Sequence, residues 1–201
     1  LDFGGDRLRY REAAIDGKGN VTQIRQYLDP DNAAVYDMVY EANGNLQKLT
    51  RPANANGERL FYEYTYDPEV QTYVTKVKDA YGYESQSAYD YAFGQVVESI
   101  DMNKQRIVYS LDAKGRIDTV VGPYELARGL PFTIVNSYNP DAQVPYATTK
   151  HFDPANNGEI VTITFMDGLQ RPVQVKKTGS LFVDKNQPDQ PVMIVSGRVI
   201  F

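Results

Sequence analysis

Along residues 116–121 the side chains alternate. Ile117, Thr119 and Val121 fall on one side of an extended chain, and Arg116, Asp118 and Val120 on the other. A period of two marks a strand. Similar runs of roughly six to eight residues recur along the chain between clusters of Gly, Asn, Asp and Pro, and each predicts a strand about 20 to 25 Å long. No extended window keeps apolar positions at i, i+3, i+4 and i+7, so no long amphipathic helix is expected. The best helical segment is PYELARG (123–129), with room for one or two turns. The alternation is less clean than a sandwich requires. Tyr often stands where Leu is expected, and both faces carry polar groups and rings, which predicts a curved sheet, wet on both sides and held by cross-strand tyrosine pairs.

The strands are punctuated by a repeated phrase. IDGKGNVTQI (15–24), YEANGNLQKL (40–49) and YSLDAKGRIDTVVG (109–122) share an acid, two small or polar residues, a glycine, a polar residue and an aliphatic one. The glycine slot is filled by Gly19, Gly44, Thr72, Gly94 and Gly115, at intervals of 25, 28, 22 and 21. Asp16, Glu41 and Asp112 stand three places before their glycines, and Asp90 stands four before Gly94. An acid opening a type I turn accepts from backbone N–H groups just ahead of it, and a glycine three places on takes positive φ and forms the bulge that returns the chain. A second phrase (DPDNAAVY, DAYGYESQSAY, DMNKQRIVY) supplies the other turn and the returning strand. A lone hairpin is unstable, so the units are expected to pair into one winding sheet.

Three segments follow from this beat: a hairpin array over 1–125, an irregular excursion over 126–160 with one or two strands (TIVNSY and ATTKHFD), and a further hairpin and strand over 161–201. In the last, Asp167 holds the acid slot and Gln170 the glycine slot.

Composition narrows the picture. Sixteen Tyr, eight Phe and no Trp suit pleated, half-exposed surfaces. There is no Cys, hence no disulfide framework and no thiolate metal site. The net charge of −5 is dispersed, which disfavours a nucleic-acid partner, since phosphate recognition wants a basic stripe. Apolar runs such as VMIV (192–195) are too short to span a bilayer, so no membrane contact is expected of this segment. The first residues, LDFGGDRLRYREAA, lack a Met and do not read as a signal peptide, so the chain is read as a piece of something longer.

Candidate chemistry is sparse. His151 is the single histidine, with Asp153 two residues on, and no placed nucleophile accompanies it; a surface or turn role is expected. DPDN (29–32) and NANGE (54–58) are oxygen-rich, but neither continues with the spacing of a calcium loop, and both sit where a turn is due. The repeated tyrosines read as packing, because a sugar site would concentrate them in one place. No catalytic residue, cofactor or metal site is assigned.

The tyrosine-acid phrase resembles the Rhs or YD-repeat family. It is carried by Tyr40-Glu41 to Asn45-Leu46, Tyr66-Asp67, Tyr89-Asp90 to Gly94, and Leu111-Asp112 to Gly115-Arg116-Ile117. Residues 89–125, and DGLQRPVQVKK (167–177) followed by VSGRVIF (195–201), look most like the shell region of the B component of bacterial toxin complexes and its virulence-plasmid relatives. The resemblance covers roughly 15–125 and 160–201. It implies hairpin repeats wound into a hollow β-shell that encloses a toxin or effector polypeptide, in a secreted or cell-surface bacterial protein. The implied partners are the rest of the parent shell, its enclosed C-terminal toxin, and the C component and channel-forming subunit of a toxin complex. Open strand edges imply self-association. Neither the self-cleaving aspartate region nor the docking propeller of that family is found. The alternative is a secreted or surface β-repeat adhesin or carbohydrate-binding domain, and a hydrolase on a β-scaffold is a third reading.

Overall fold

The structure, a computed structural model, describes residues 2–3, 6–7, 10–156, 158–169 and 171–197. The chain forms two compact units that divide between Gln105 and Arg106.

In the first unit a short pair, β1 (Asp2–Phe3) and β2 (Asp6–Arg7), precedes an antiparallel meander. Its strands are β3 (Arg11–Ile15), β4 (Val21–Tyr27), β5 (Ala33–Tyr40), β6 (Leu46–Ala53), β7 (Arg59–Tyr66), β8 (Val74–Asp79), β9 (Glu84–Asp90) and β10 (Gln95–Ile100). Each pairs with its neighbour in sequence, so the spatial order is the chain order. Turns of about five residues enforce this, because they return the chain only to the adjacent position.

The second unit repeats the plan with β11 (Arg106–Leu111), β12 (Ile117–Val121), β13 (Ile134–Asn139), β14 (Tyr146–Asp153), β15 (Gly158–Met166), β16 (Pro172–Leu181) and β17 (Gln190–Ser196). Residues 126–160, read from the sequence as an irregular excursion, hold β13, β14 and the start of β15. Threonines and aromatics pair β13 and β14 over six consecutive registers, Ile134↔His151 to Asn139↔Tyr146. The tracts of Pro, Asn and Asp lie between the strands.

Among the described residues the one helix, α1 (Pro123–Arg128), falls in PYELARG. Pro123 opens it where no N–H partner is needed, and Gly129 closes it at φ 64°, with the following N–H of Leu130 bonded to the Glu125 carbonyl at 2.9 Å. Glu125 is 7% exposed; its Oε2 accepts the Thr133 hydroxyl at 2.6 Å, and that hydroxyl oxygen accepts the Gly122 N–H at 2.7 Å.

Burial reverses the globular pattern. Among the described residues no apolar side chain is fully buried, and the buried polar side chains are those of Asp67 and Glu125. Each unit is a hairpin sheet with no apolar core among its described residues. Its cohesion comes from backbone ladders, cross-strand pairs and turns.

Candidate functional site: turn edges and sheet faces

The turns are built alike. In the first, Asp16 Oδ1 accepts the N–H groups of Lys18 (2.8 Å) and Asn20 (2.9 Å), while Gly19 takes φ 91° and donates to the Asp16 carbonyl at 3.1 Å. Asp112 does the same with Lys114 and Arg116 (2.8 and 3.0 Å), and Asp167 with Leu169 and Arg171 (2.8 and 3.0 Å). In both of these the arginine turns back onto the acid that opened the turn, with Nε at 2.7 Å and a second guanidinium nitrogen at 2.6 Å. Hydrogen bonds from Asn20, from Arg116, and from the Arg171 backbone and side chain hold the carboxyls of Asp16, Asp112 and Asp167 below the usual range.

Two positions carry the turn differently. At Glu41 the backbone turn is intact, with Gly44 at φ 93°, but Asn43 Oδ1 takes the Asn45 N–H at 3.1 Å, because the longer Glu side chain does not fold onto its own turn. Asp90 accepts from Ala92 and Phe93 (2.9 and 3.1 Å), the second donor one residue earlier than elsewhere, and its carbonyl accepts the Gly94 N–H, four places on, at 2.8 Å. Gln170 lies outside the described residues.

Three further turns of this construction fall where the sequence places a turn without assigning its acceptor: Asn54–Glu58, Asp79–Tyr83 and Asp101–Gln105. Asn54 replaces the acid, and Lys104 occupies the left-handed slot at φ 64° where glycine is expected. The spacing of acceptor and N–H donors was the available signal.

Asp67 is the exception in kind. It is 1% exposed and accepts five backbone N–H groups: Glu69, Val70 and Gln71 on Oδ1 (3.2, 2.7 and 3.1 Å), and Thr72 and Tyr73 on Oδ2 (both 2.9 Å). Desolvation pushes its pKa up, but the bonds from Tyr73, Thr72, Val70 and Gln71 outweigh it and hold the carboxyl at about 2. The loop thus wound around one anion joins its neighbours. Gln71, at φ 53°, accepts Asn43 Nδ2 (3.0 Å) on its side chain and Asn45 Nδ2 (2.6 Å) on its carbonyl. Tyr73 stacks on Tyr89 (centroids 4.8 Å) and Tyr91 (5.8 Å). A Cβ on Gly94 meets the Tyr73 hydroxyl at 2.7 Å, so a glycine there leaves room for the stack. With Lys18 Nζ donating to the Ala42 carbonyl at 2.8 Å, the successive turns on this edge of the first unit form a connected row.

The tyrosine near the end of a strand has its own task. Tyr40 donates its hydroxyl to the Val21 carbonyl (3.0 Å), Tyr66 to Leu46 (3.1 Å) and Tyr138 to Ile117 (2.9 Å). Val21, Leu46 and Ile117 each open a strand immediately after a turn, next to the point where the ladder register slips. The hydroxyl satisfies a carbonyl near the bulge. Tyr66→Phe is expected to lose about 1 kcal/mol in urea unfolding, the net worth of one such bond. An unchanged midpoint rejects the clamp.

The faces of the first unit differ. On one, Asp37 accepts Gln23 (2.7 Å) and Arg59 (2.6 Å), Lys48 pairs with Glu63 (2.9 Å), and Lys76 and Lys78 lie 3.7 and 4.0 Å from Glu84. The opposite face carries the registered pairs Met38↔Leu49, Leu49↔Tyr62, Tyr64↔Val77, Tyr66↔Val74 and Val96↔Tyr89. Polar groups and rings, expected on both faces alike, are here largely sorted.

The remaining candidates join no such arrangement. His151 is an exposed strand residue of β14, opposite Ile134 and Ile160. Asp29 Oδ1 accepts the N–H groups of Asp31 and Asn32, and both its oxygens accept Asn32 Nδ2, so the DPDN oxygens close a turn. Among the described residues no group of three or more His, Cys, Asp or Glu is placed to hold a metal ion. Among them, too, no helix is long and apolar enough to cross a membrane.

Comparison with solved structures gives this coreless hairpin sheet a place. The crystal structure of TcdB2-TccC3 matches over 96% of this chain with a TM-score of 0.63 at 16% identity. The Photorhabdus luminescens Tc holotoxin pore matches over 96% with a TM-score of 0.64 at 14% identity. The fold is the β-shell fold of the Tc toxin B component. The crystal structure of TcdB2-TccC3-Cdc42 agrees, with 96% of this chain covered, a TM-score of 0.64 and 13% identity. The chain spans 11%, 13% and 14% of the length of those three chains respectively. No family model and no curated protein matches the sequence.

Proposed function

We propose that this chain is a non-enzymatic stretch of YD-repeat wall in a β-shell that encloses a toxin or effector polypeptide for delivery. The observation that carries the reading is a sheet of the Tc shell fold that buries no apolar side chain among its described residues. A catalytic or ligand-binding domain needs a packed core to hold a site rigid. A container wall needs continuous strand pairing and two faces fit for different surroundings. The ion-paired face of the first unit is fit for bulk water, and the face of Tyr, Leu, Met and Val is fit to lie against an unfolded polypeptide. On this reading the protein is secreted or displayed at the bacterial surface. Its partners are the rest of the shell, the enclosed polypeptide, and the C component and channel subunit of a toxin complex. The outer edges of β3 and β17 join neighbouring wall, and when left open they favour self-association.

The chain lacks cysteine, so one introduced thiol reports one face. Lys78→Cys marks the ion-paired face and Val77→Cys the other. In the assembled native protein a bulky maleimide is expected to label the first at the rate of a free thiol and the second only after denaturation. Equal labelling of both in the native state overturns enclosure.

A further inference from the structure

Two turns of the first unit contain an Asn-Gly step, Asn43-Gly44 and Asn56-Gly57, and a third holds Asn103-Lys104. Asparagine before glycine is prone to a self-reaction, because glycine has no Cβ to block approach of its nitrogen to the neighbouring side chain. In all three turns the attacking nitrogen is held alike. Gly44 N–H donates to the Glu41 carbonyl, Gly57 N–H to Asn54 and Lys104 N–H to Asp101, each at 3.0 Å. The backbone therefore does not distinguish them.

The side chains do. The Asn43 amide is tied at both ends: its Oδ1 accepts the Asn45 N–H at 3.1 Å, and its Nδ2 donates to Gln71 Oε1 at 3.0 Å. To react, it must break both bonds and leave the row of turns that Asp67 organises. Asn56 is exposed, and its side-chain amide makes no hydrogen bond; only its backbone N–H is engaged, by Asn54 Oδ1 at 2.9 Å. Asn103 is also exposed, but the residue after it carries a side chain.

We infer that Asn56 is a spontaneous modification site, at which the chain deamidates to aspartate and isoaspartate, and that the contact with Gln71 shields Asn43 from the same fate. The Gly57 nitrogen attacks Asn56 Cγ. The new N–Cγ bond closes a five-membered succinimide, the Cγ–Nδ2 bond breaks, and Nδ2 departs as ammonia with the proton from the Gly57 amide. Water then opens the ring. Cleavage at Cγ–N gives aspartate, and cleavage at the main-chain carbonyl gives isoaspartate, with one more methylene in the backbone; water is the only co-reactant.

The position gives the change a structural consequence. Arg59, just past this turn, donates to the Arg51 carbonyl (2.9 Å), Asp37 (2.6 Å) and the Val35 carbonyl (2.8 Å), clipping β5, β6 and β7 together. A lengthened backbone at 56–57 misplaces the Asn54 carbonyl acceptor and the start of β7, and so loosens that clip.

The experiment is incubation of the native protein in mildly alkaline buffer, with peptide mass spectrometry and enzymatic isoaspartate methylation read over time. Asn56 is expected to convert on the order of 5- to 30-fold faster than Asn43, the factor that two hydrogen bonds of ordinary net strength impose. Asn103 is expected to be slowest. In denaturing urea Asn43 accelerates to match Asn56, and in folded Gln71→Ala it accelerates partway. Asn56→Gln abolishes the product in the peptide that spans this turn. Equal native rates at Asn43 and Asn56, or native conversion at Asn56 no faster than at Asn103, overturns the inference.

Discussion

Asp67→Asn lowers the thermal transition of the first unit by about 10 °C, the largest loss expected from any single substitution in the chain. The carboxylate presents two oxygens to five N–H donors. An amide keeps one oxygen and turns an NH₂ toward donors that have no other acceptor, so at least two backbone N–H groups are left unpaired beside a residue that is 1% exposed. The damage spreads, because the loop sets Tyr73 between Tyr89 and Tyr91 and holds Gln71 against Asn43 and Asn45. Near-ultraviolet circular dichroism from these tyrosines is expected to weaken below the transition. A melting temperature within about 2 °C of the parent sinks the assignment of Asp67 as the anchor of this edge.

Acid is expected to unfold the protein between about pH 4 and pH 2. The carboxyls of Asp16, Asp29, Asp37, Glu63, Asp112, Asp153 and Asp167 are all held below their ordinary values, chiefly by hydrogen bonds from Asn20, Asn32, Gln23, Lys48, Arg116, Asn156 and the Arg171 backbone. Asp67 lies lowest, at about 2. The unfolded chain titrates near 3.8 for Asp and 4.5 for Glu, so across this window it binds more protons than the folded chain. Stability therefore rises with pH there. The contribution is complete above the unfolded values and is lost as pH falls through the folded ones. Urea midpoints measured from neutral pH downward are expected to drop steeply below about pH 4, and in Asp67→Asn the lowest part of the drop is expected to flatten. Midpoints that do not change over the window overturn the role given to the turn acids.

Much of this was legible because a turn is a local object. Asp16, Asp112 and Asp167 accept from residues two and four places on, so spacing alone locates the acceptor and the donors, and at Gly19 and Gly115 the left-handed glycine. Where the sequence varied its means, the reading was incomplete. Asn54 does an acid's work, Lys104 takes positive φ without being glycine, and Asn43 substitutes for Glu41. ATTKHFD reads as a strand from its threonines and aromatics, and β14 runs over Tyr146–Asp153.

By itself the sequence determined the all-β class, the beat of hairpins and the chemistry of the turns, since these depend on residues within about five positions of one another. Only the tertiary structure decided the rest. Tyr40, Tyr66 and Tyr138 reach carbonyls 19, 20 and 21 residues away. Charges and rings separate onto opposite faces only once register is set, and a slip of one residue exchanges the faces. Asp67 resembles any other turn acid in sequence; only the fold buries it under five N–H groups.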